Sequence, residues 1–513
     1  MKSPIITERS FFTLLLVLVC ADRLIQLFTY NFRYTGNDEV VFWQGAFHYS
    51  NGFFHEPYMF GQNYNYMLEA FIATPLISIG IPYYISFPIV TSILALLPFM
   101  FIGVILYKRK MYFASFVFIG ILLFMPIEYG ILTSITRGFV SGIFFLSLLA
   151  YPLIYPDRFS SFIFYSLAAG LGFIFNPNSV LVSLPVGIHL FITNYKRIDF
   201  YIVTSLLLSF CYLIEYYSKQ FYIGHPEYLV HQMWELEWSF EKFANSFAQL
   251  DKLFWGLSPI FWFLRWIGLL AIAVISVLLF KKNKAYSISI AVTLMFIIFM
   301  FGLNKVHDSV SSIFLSSSRM FLTLPLLLAI SVFWLSKYYP LKLNSKRLLS
   351  FSIFVLLFFI FKICLYNSVI SYHIGKEDFG PIAVKKISDL EKECNQIYQI
   401  AESENVELIV YAPDWEIKVT EIEFYNYGCN CLLNKNIPSI LAKFERRYWV
   451  FKEYSSRKTG KILFYGNIYF NKIDEKNLNC TISKKSKHLF IIQNNQNTLY
   501  ELMVKLNSAL LRN

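Results

Sequence analysis

Apolar runs of near-spanning length follow one another along the chain, separated by short polar joints. They fall at about 11–28, 85–107, 111–127, 138–155, 160–175, 178–195, 199–217, 259–280, 285–302, 320–336 and 348–366. A bilayer core of about 30 Å takes roughly 20 apolar residues to cross as a helix, so each run predicts a span. The basic residues test the threading. With Lys2 and Arg9 on one side, the joints that return to that side carry Lys108-Arg109-Lys110, Asp157-Arg158, Lys196-Arg197, Lys281-Lys282-Lys284, and Lys337 through Lys346-Arg347. This alternation is what the positive-inside rule demands. It predicts roughly eleven spans, a cytoplasmic N-terminus and an extracytoplasmic C-terminus, in the cell (inner) membrane. The first run lacks a small-residue cleavage site and runs into Asp22-Arg23, so it reads as a retained anchor.

Two long polar stretches, 30–84 and 218–258, interrupt the pattern and are both expected outside. The first holds Asp38-Glu39, some ten residues past the first apolar helix. Within it, Met67 to Ile81 is short for a span and contains Glu69 and Pro75, which predicts an interfacial helix. The second is rich in aromatics and acids (Trp234, Glu235, Glu237, Trp238, Glu241) and predicts one or two amphipathic helices resting on the membrane. From about Asn367 the composition turns polar. A helix is expected over Pro381–Glu404, strands over Glu407–Tyr411, Lys461–Phe470 and Leu489–Ile492, and a closing helix over Asn497–Leu511. The expected fold is therefore a mainly α polytopic helical bundle, residues 1–366, followed by a small extracytoplasmic α/β domain, residues 367–513.

Composition agrees. Of 513 residues, 56% are hydrophobic and 15% charged, with 54 Phe and a mean hydropathy of +0.50. Soluble domains carry about 25% charge, so this is a membrane composition. The net charge of +12 is accounted for by the basic joints. No soluble face interleaves basic and aromatic residues, so nucleic acid is not an expected partner. Cys20, Cys211 and Cys364 sit in apolar runs as packing residues. Cys394, Cys429, Cys431 and Cys480 lie in the C-terminal part, where an oxidising compartment would permit a disulfide. Cys429 and Cys431 lack companion ligands for zinc, and His48, His55 and Glu56 match no ligand spacing. No metal site and no resident cofactor are expected.

Candidate chemistry gathers on the outer side. Asp38 and Glu39 can serve as a general base towards an incoming hydroxyl or amine, a role worth about 10²–10⁴ in rate. The plainer alternative is that Asn37 or Asp38 caps a short helix through Tyr49. Arg137 follows Thr133, Ser134 and Thr136, Arg319 follows Ser316-Ser317-Ser318, and Lys305 and His307 lie just before it. Cations on the outer side run against the orientation rule. Either they bind an anionic phosphate, or they snorkel to headgroups. No glycine-rich phosphate loop, Walker motif or Ser-His-Asp order occurs.

Four local motifs and their sidedness resemble the GT-C membrane glycosyltransferases, in the branch of dolichyl-phosphate-mannose protein mannosyltransferases and aminoarabinose lipid A transferases. They are GNDE (Gly36–Glu39), FGQNYNYMLEA (Phe60–Ala70), TRG (Thr136–Gly138) and SRMFLTLP (Ser318–Pro325). Ala168–Pro185 is similar to that family's helix–break–helix. The resemblance implies inverting transfer from a polyprenyl-phosphate sugar to an acceptor lipid, glycan or protein. By it, Asp38 matches the catalytic base and Glu39 its helper, while Arg137 and Arg319 would hold the lipid phosphate. Gln62, Tyr64 and Glu69 would line the sugar or acceptor site, with Lys305 and His307 as further substrate contacts. Gln62 has an alternative as the cap of the interfacial helix. Asn176-Pro177-Asn178 and Gln62-Asn63-Tyr64 stand where aminoarabinose enzymes carry lysines, which leaves the sugar open. A transporter or flippase for a lipid-linked saccharide is the alternative from another class, although no internal repeat relates the two halves.

Overall fold

The computed structural model describes residues 6–54, 56–59, 62–225, 236–307, 316–341, 343–375, 385–412, 437, 439–441, 458–466, 479–486, 489–499, 501–502 and 505. The side chains of Asp38, Gln62, Tyr64 and Lys385 lie outside the described set.

Thr7 starts α1 (Glu8–Gln26) by accepting the Ser10 amide hydrogen on its hydroxyl at 3.2 Å, with Glu8 in the electropositive first turn. One π turn follows, then β1 (Tyr34–Thr35), α2 (Asn37–Ser50), the hairpin β2 (Tyr58–Met59) and β3 (Gln62–Tyr66), and α3 (Leu68–Ser78). The apolar runs then form α4 (Tyr83–Lys108), α5 (Tyr112–Phe124), α6 (Ile127–Leu132), α7 (Ser141–Phe145), α8 (Ala150–Ile154), α9 (Phe159–Phe175), α10 (Val180–Asn194) and α11 (Ile198–Gly224). After them come the short α12 (Phe240–Ala248) and α13 (Leu250–Leu253), then α14 (Ile267–Phe280) and α15 (Lys284–Met300). The series closes with α16 (Asn304–His307), α17 (Ser316–Met320), α18 (Leu324–Ser336) and α19 (Ser345–Gly375).

Among the described residues, five helical stretches are long and apolar enough to cross a membrane: Glu8–Asn31, Tyr83–Lys108, Ile198–Gly224, Ser317–Ser336 and Ser345–Ile374. The chain is a mainly helical membrane protein. Between these stretches lie shorter apolar helices, of which α5, with 13 residues, reaches about 20 Å.

Several boundaries depart from the hydropathy pattern for local reasons. The run 111–127 ends its helix at Phe124, because Pro126 has no N–H to continue it and instead precedes α6. The run 259–280 is helical only from Ile267. Its first part is a loop pinned to the end of α5, where the Phe124 carbonyl accepts from Ile260 N and Trp262 Nε1, each at 2.9 Å. The run 138–155 is broken by a 3-10 turn between α7 and α8. In the other direction, α11 runs past its expected end to Gly224.

Charges inside the bundle are tied together. Lys362 of α19 donates to Asp22 of α1 at 2.7 Å, and Tyr366 Oη donates to the same carboxylate at 2.8 Å. Arg23 donates to the Gly130 carbonyl and to Thr133 Oγ1, both at 2.9 Å. These bonds clamp α1, α6 and α19. An apolar environment forces such pairing, since an isolated charge there costs several kcal/mol.

The C-terminal part begins with β4 (Lys385–Lys386) and α20 (Ile387–Ser403), followed by β5 (Leu408–Ala412), β6 (Ser439–Leu441), β7 (Lys461–Gly466), β8 (Cys480–Lys484) and β9 (Leu489–Asn494). The sheet order is β6-β5-β7-β9-β8, with β5 parallel to β6 and β7, and β9 antiparallel to β7 and β8. Strands β6 and β8 have no counterpart in the sequence expectation, and α20 starts at Ile387 instead of Pro381. The expected closing helix over 497–511 lies largely outside the described residues. Cys394, on the buried face of α20, is disulfide-bonded to a cysteine outside the described residues. The β4 strand does not join this sheet. It pairs with β1, Tyr34 opposite Lys386 and Thr35 opposite Lys385, and Ile387 N donates to Arg33 O at 2.8 Å.

Removing one partner of the buried Asp22–Lys362 pair leaves an unpaired charge, so Lys362→Ala should cost about 3–5 kcal/mol. In thermal unfolding of the detergent-solubilised chain the double substitution Asp22→Asn with Lys362→Met should recover most of that loss. A double variant as unstable as Lys362→Ala would count against the pairing.

Candidate functional site

The C-terminal end of α1, the first loop and the turn after α6 meet at one place. The turn, Thr136 to Phe139, is non-helical backbone buried inside the bundle, and the carbonyls of Arg137, Gly138 and Phe139 and the amide of Gly138 all bond side chains. Asn65 Nδ2 donates to the Arg137 carbonyl at 3.2 Å, and Asn176 Nδ2 donates to the Gly138 carbonyl at 2.9 Å. Asn178 Nδ2 donates to the Phe139 carbonyl at 2.9 Å and to the Arg319 carbonyl at 3.3 Å. Gly138 N donates to Glu69 Oε2 at 2.6 Å. The other Glu69 oxygen accepts from Thr91 Oγ1 at 3.0 Å, and Thr91 lies 2.8 Å from Thr136 Oγ1. Gly138 has φ +73°, and a Cβ there would meet Asn65 Oδ1 at 2.1 Å. Only glycine fits that conformation and that space.

Glu39 is the third residue of α2. Its Oε2 accepts the Gly36 amide hydrogen at 2.7 Å and the Thr35 hydroxyl at 3.3 Å, which is the glutamate half of a capping box, since Gly36 has no side chain to accept a bond in return. The helix starts at Asn37 with Gly36 in the cap position, so neither Asn37 nor Asp38 is the cap that the plainer reading of this stretch expects, and Asp38 follows in its electropositive first turn. Tyr30 interacts electrostatically with both Glu39 and Arg137. Arg137 is buried, and the Arg319 guanidinium sits over the Phe139 ring with its carbon 5.2 Å from the centroid. Asn178 then ties Arg319 to the turn that carries Arg137, across 141 residues of sequence.

The remaining candidates fall in different surroundings. Gln62 and Tyr64 lie on β3, opposite β2, so Gln62 is not the cap of α3; that position belongs to Met67. Glu69 is fully buried with both oxygens engaged, which makes it a positioning group for the Gly138 turn. Burial raises its carboxyl to about 7, with a further push from Glu39, against the opposing bonds from Gly138 and Thr91. His307 Nε2 lies 2.7 Å from the Phe301 carbonyl and 3.1 Å from Ser246 Oγ of α12. Lys305 is in the same short helix, which packs against α17. His48 stacks at the end of α2 against Phe53, and His55 lies outside the described residues. Among the described residues no group of three His, Cys, Asp or Glu is placed to hold a metal ion.

Asn65, Asn176, Asn178, Thr91 and Tyr30 escape a sequence reading built on charges. The signal was there in part: amides clustered in an otherwise apolar chain, at Asn63–Asn65 and in the Asn-Pro-Asn break, need buried partners. A second group lies beside the hairpin. Tyr66 Oη donates to Glu215 Oε2 at 2.8 Å, and Tyr222 Oη donates to Glu56 Oε2 at 2.8 Å, both across to the extended end of α11.

No family model, curated protein or solved structure matches this chain.

Glu69 generates a pH prediction. Its folded-state value is about 7 against an ordinary carboxyl near 4.5, so the native chain holds this proton more tightly than the unfolded one. Stability should be highest below about pH 4.5 and fall by roughly 3 kcal/mol as pH rises through 7. Glu69→Gln should flatten that slope in pH-dependent thermal unfolding. Gly138→Ala should lower stability by about 1–3 kcal/mol, and an unchanged melting temperature would count against the strained turn.

Proposed function

We propose that the chain is an inverting glycosyltransferase that moves a sugar from a polyprenyl-phosphate donor to an acceptor on the extracytoplasmic face. One observation carries the reading. One side chain, Asn178, bonds the carbonyls of Arg319 and of Phe139 in the turn that carries Arg137, and Tyr30 interacts electrostatically with both Arg137 and Glu39 of the helix start that bears Asp38. An acid near two fixed guanidinium groups is what displacement of a lipid phosphate needs. The motif order resembling the GT-C glycosyltransferases supports the same reading, as does the Cys394 disulfide, which belongs to an oxidising compartment.

In this mechanism the acceptor hydroxyl oxygen attacks the anomeric carbon from the face opposite the phosphate. The C1–O bond to the phosphate breaks as the new glycosidic bond forms. The acceptor proton passes to the Asp38 carboxylate, and the bond electrons leave with the phosphate oxygen. Arg137 and Arg319 stabilise that developing charge, and a fixed geometry removes the entropy cost of bringing the partners together. Glu39 holds the first turn of α2, and so fixes where Asp38 stands. The Glu69–Gly138 bond does the same for Arg137.

The test uses the full-length protein in proteoliposomes with a panel of polyprenyl-phosphate sugars. Asp38→Asn should lower transfer by about 10²–10⁴ while donor binding stays within a few-fold of wild type. Arg137→Gln and Arg319→Gln should weaken donor binding itself. Wild-type protein that translocates the lipid-linked sugar without transferring it would overturn this reading in favour of a flippase.

A further inference from the structure

A cavity of about 110 Å³, lined by neither Arg137 nor Arg319, opens on the flank of the bundle at the end of α19 nearest the C-terminal domain. Glu128, Trp255, Trp262 and Arg265 line its head, and Leu365 and Val369 of α19 form its floor. The charges are opposite and on different elements. Glu128, on α6, meets His373 Nε2 through one oxygen at 3.4 Å. Arg265, in the loop before α14, sits with its guanidinium carbon 5.8 Å from the Trp255 ring centroid. Arg265 Nη1 reaches the Asp251 carbonyl only at 3.5 Å, the limit of a hydrogen bond.

Below the cavity an apolar stripe continues along the same face of α19. Val369, Leu365, Phe361, Phe358 and Phe354 follow at intervals of four, four, three and four residues, the spacing of one helix face. Phe361 and Phe354 are 54% and 47% exposed. Trp262 stacks on Phe361 with centroids 6.1 Å apart and meets Phe358 edge-on at 5.6 Å, so the loop forms one wall of the stripe. The loop is held there under strain. Ile260 adopts φ +63°, unusual for a β-branched residue, and its amide and the Trp262 indole both bond the Phe124 carbonyl.

A small charged head above an aromatic stripe, on a face turned to lipid, has the form of one phospholipid molecule. We propose that this is a site for a single glycerophospholipid whose headgroup carries a primary ammonium, such as phosphatidylethanolamine. Arg265 takes the phosphate, Glu128 takes the ammonium, and one acyl chain lies along Phe361, Phe358 and Phe354. Tryptophans at the head match the depth at which such rings sit in membranes. The Arg–phosphate bond is of the strong, charge-assisted kind, and the carboxylate supplies the choice between headgroups.

Native mass spectrometry of the full-length protein, released from mixed vesicles of phosphatidylethanolamine, phosphatidylcholine and phosphatidylglycerol, tests this. Wild type should retain phosphatidylethanolamine about tenfold over the other two, the factor of one strong polar contact. Glu128→Gln should abolish the preference for the amine, whereas Arg265→Gln should lower retention of all three lipids. Val369→Trp, which fills the floor without touching a charge, should also expel the lipid. Melting temperatures of the lipid-free variants keep folding separate from binding. Equal retention of the three lipids by wild type, or variants that retain phosphatidylethanolamine as wild type does, would overturn the site.

Discussion

The buried turn from Thr136 to Phe139 sets the terms for the rest of this protein. Backbone that leaves the helix inside an apolar bundle must find partners for every N–H and C=O, since no water is there to take them. Here the partners are three amides and one carboxylate, brought from the hairpin (Asn65), from α3 (Glu69) and from the break between α9 and α10 (Asn176, Asn178). Each of these elements is thereby fixed against the turn. The irregular segment costs stability, yet it gathers the two arginines in a place where regular helices would hold them apart. Gly138 makes that possible, because any side chain at φ +73° would enter the space of Asn65.

A second constraint follows from the first. The hairpin that delivers Asn65 is only a few residues long, and a two-stranded hairpin is marginal alone. It is steadied from the far side by the last turns of α11, which bring Glu215 and, beyond the hydropathy boundary, Ser218 and Tyr222 to Tyr58 and Tyr66. The Tyr58 and Tyr222 rings stack at 5.2 Å. The extension of α11 to Gly224 is thus not a helix end that failed to stop. It is the post on which the first loop leans.

Most of the helical frame was legible in the sequence, because hydrophobic periodicity over long windows reports burial and little else. The failures were local. Pro126 ended α5, and the double bond onto Phe124 O drew 259–266 out of the helix, which no window average can register. The strands β6 and β8 are short and carry weak alternation. At the site, charge drew attention to Arg137 and Arg319, whose carbonyls are both held by asparagine amides, and to Glu69. Read as a ligand-lining acid, Glu69 is fully buried and engaged with Gly138 and Thr91. Gln62 could not be assigned from spacing either, since a strand and a cap both suit a glutamine before an apolar run.

The β1–β4 pairing gives the C-terminal part a direct purchase on the site. Strand β4 leaves its own sheet and adds to the two residues that precede Gly36, so its backbone bonds fix Tyr34 and Thr35. Thr35 in turn donates to Glu39, which caps the helix start bearing Asp38. One backbone ladder and one side-chain bond, Thr35 to Glu39, therefore link the first strand after α19 to the helix start that bears the acid. A two-residue ladder has little stability of its own, so it persists because both sides are anchored: β1 by α1, and β4 by α20, where Glu391 acts on Tyr84 at the start of α4. Movement of α20 across that surface would be felt first at Thr35 and only afterwards at the arginines, which the turn holds independently. On the proposed reading, the acid and the phosphate clamp are thus held by separate parts of the chain, and only the acid answers to the C-terminal domain.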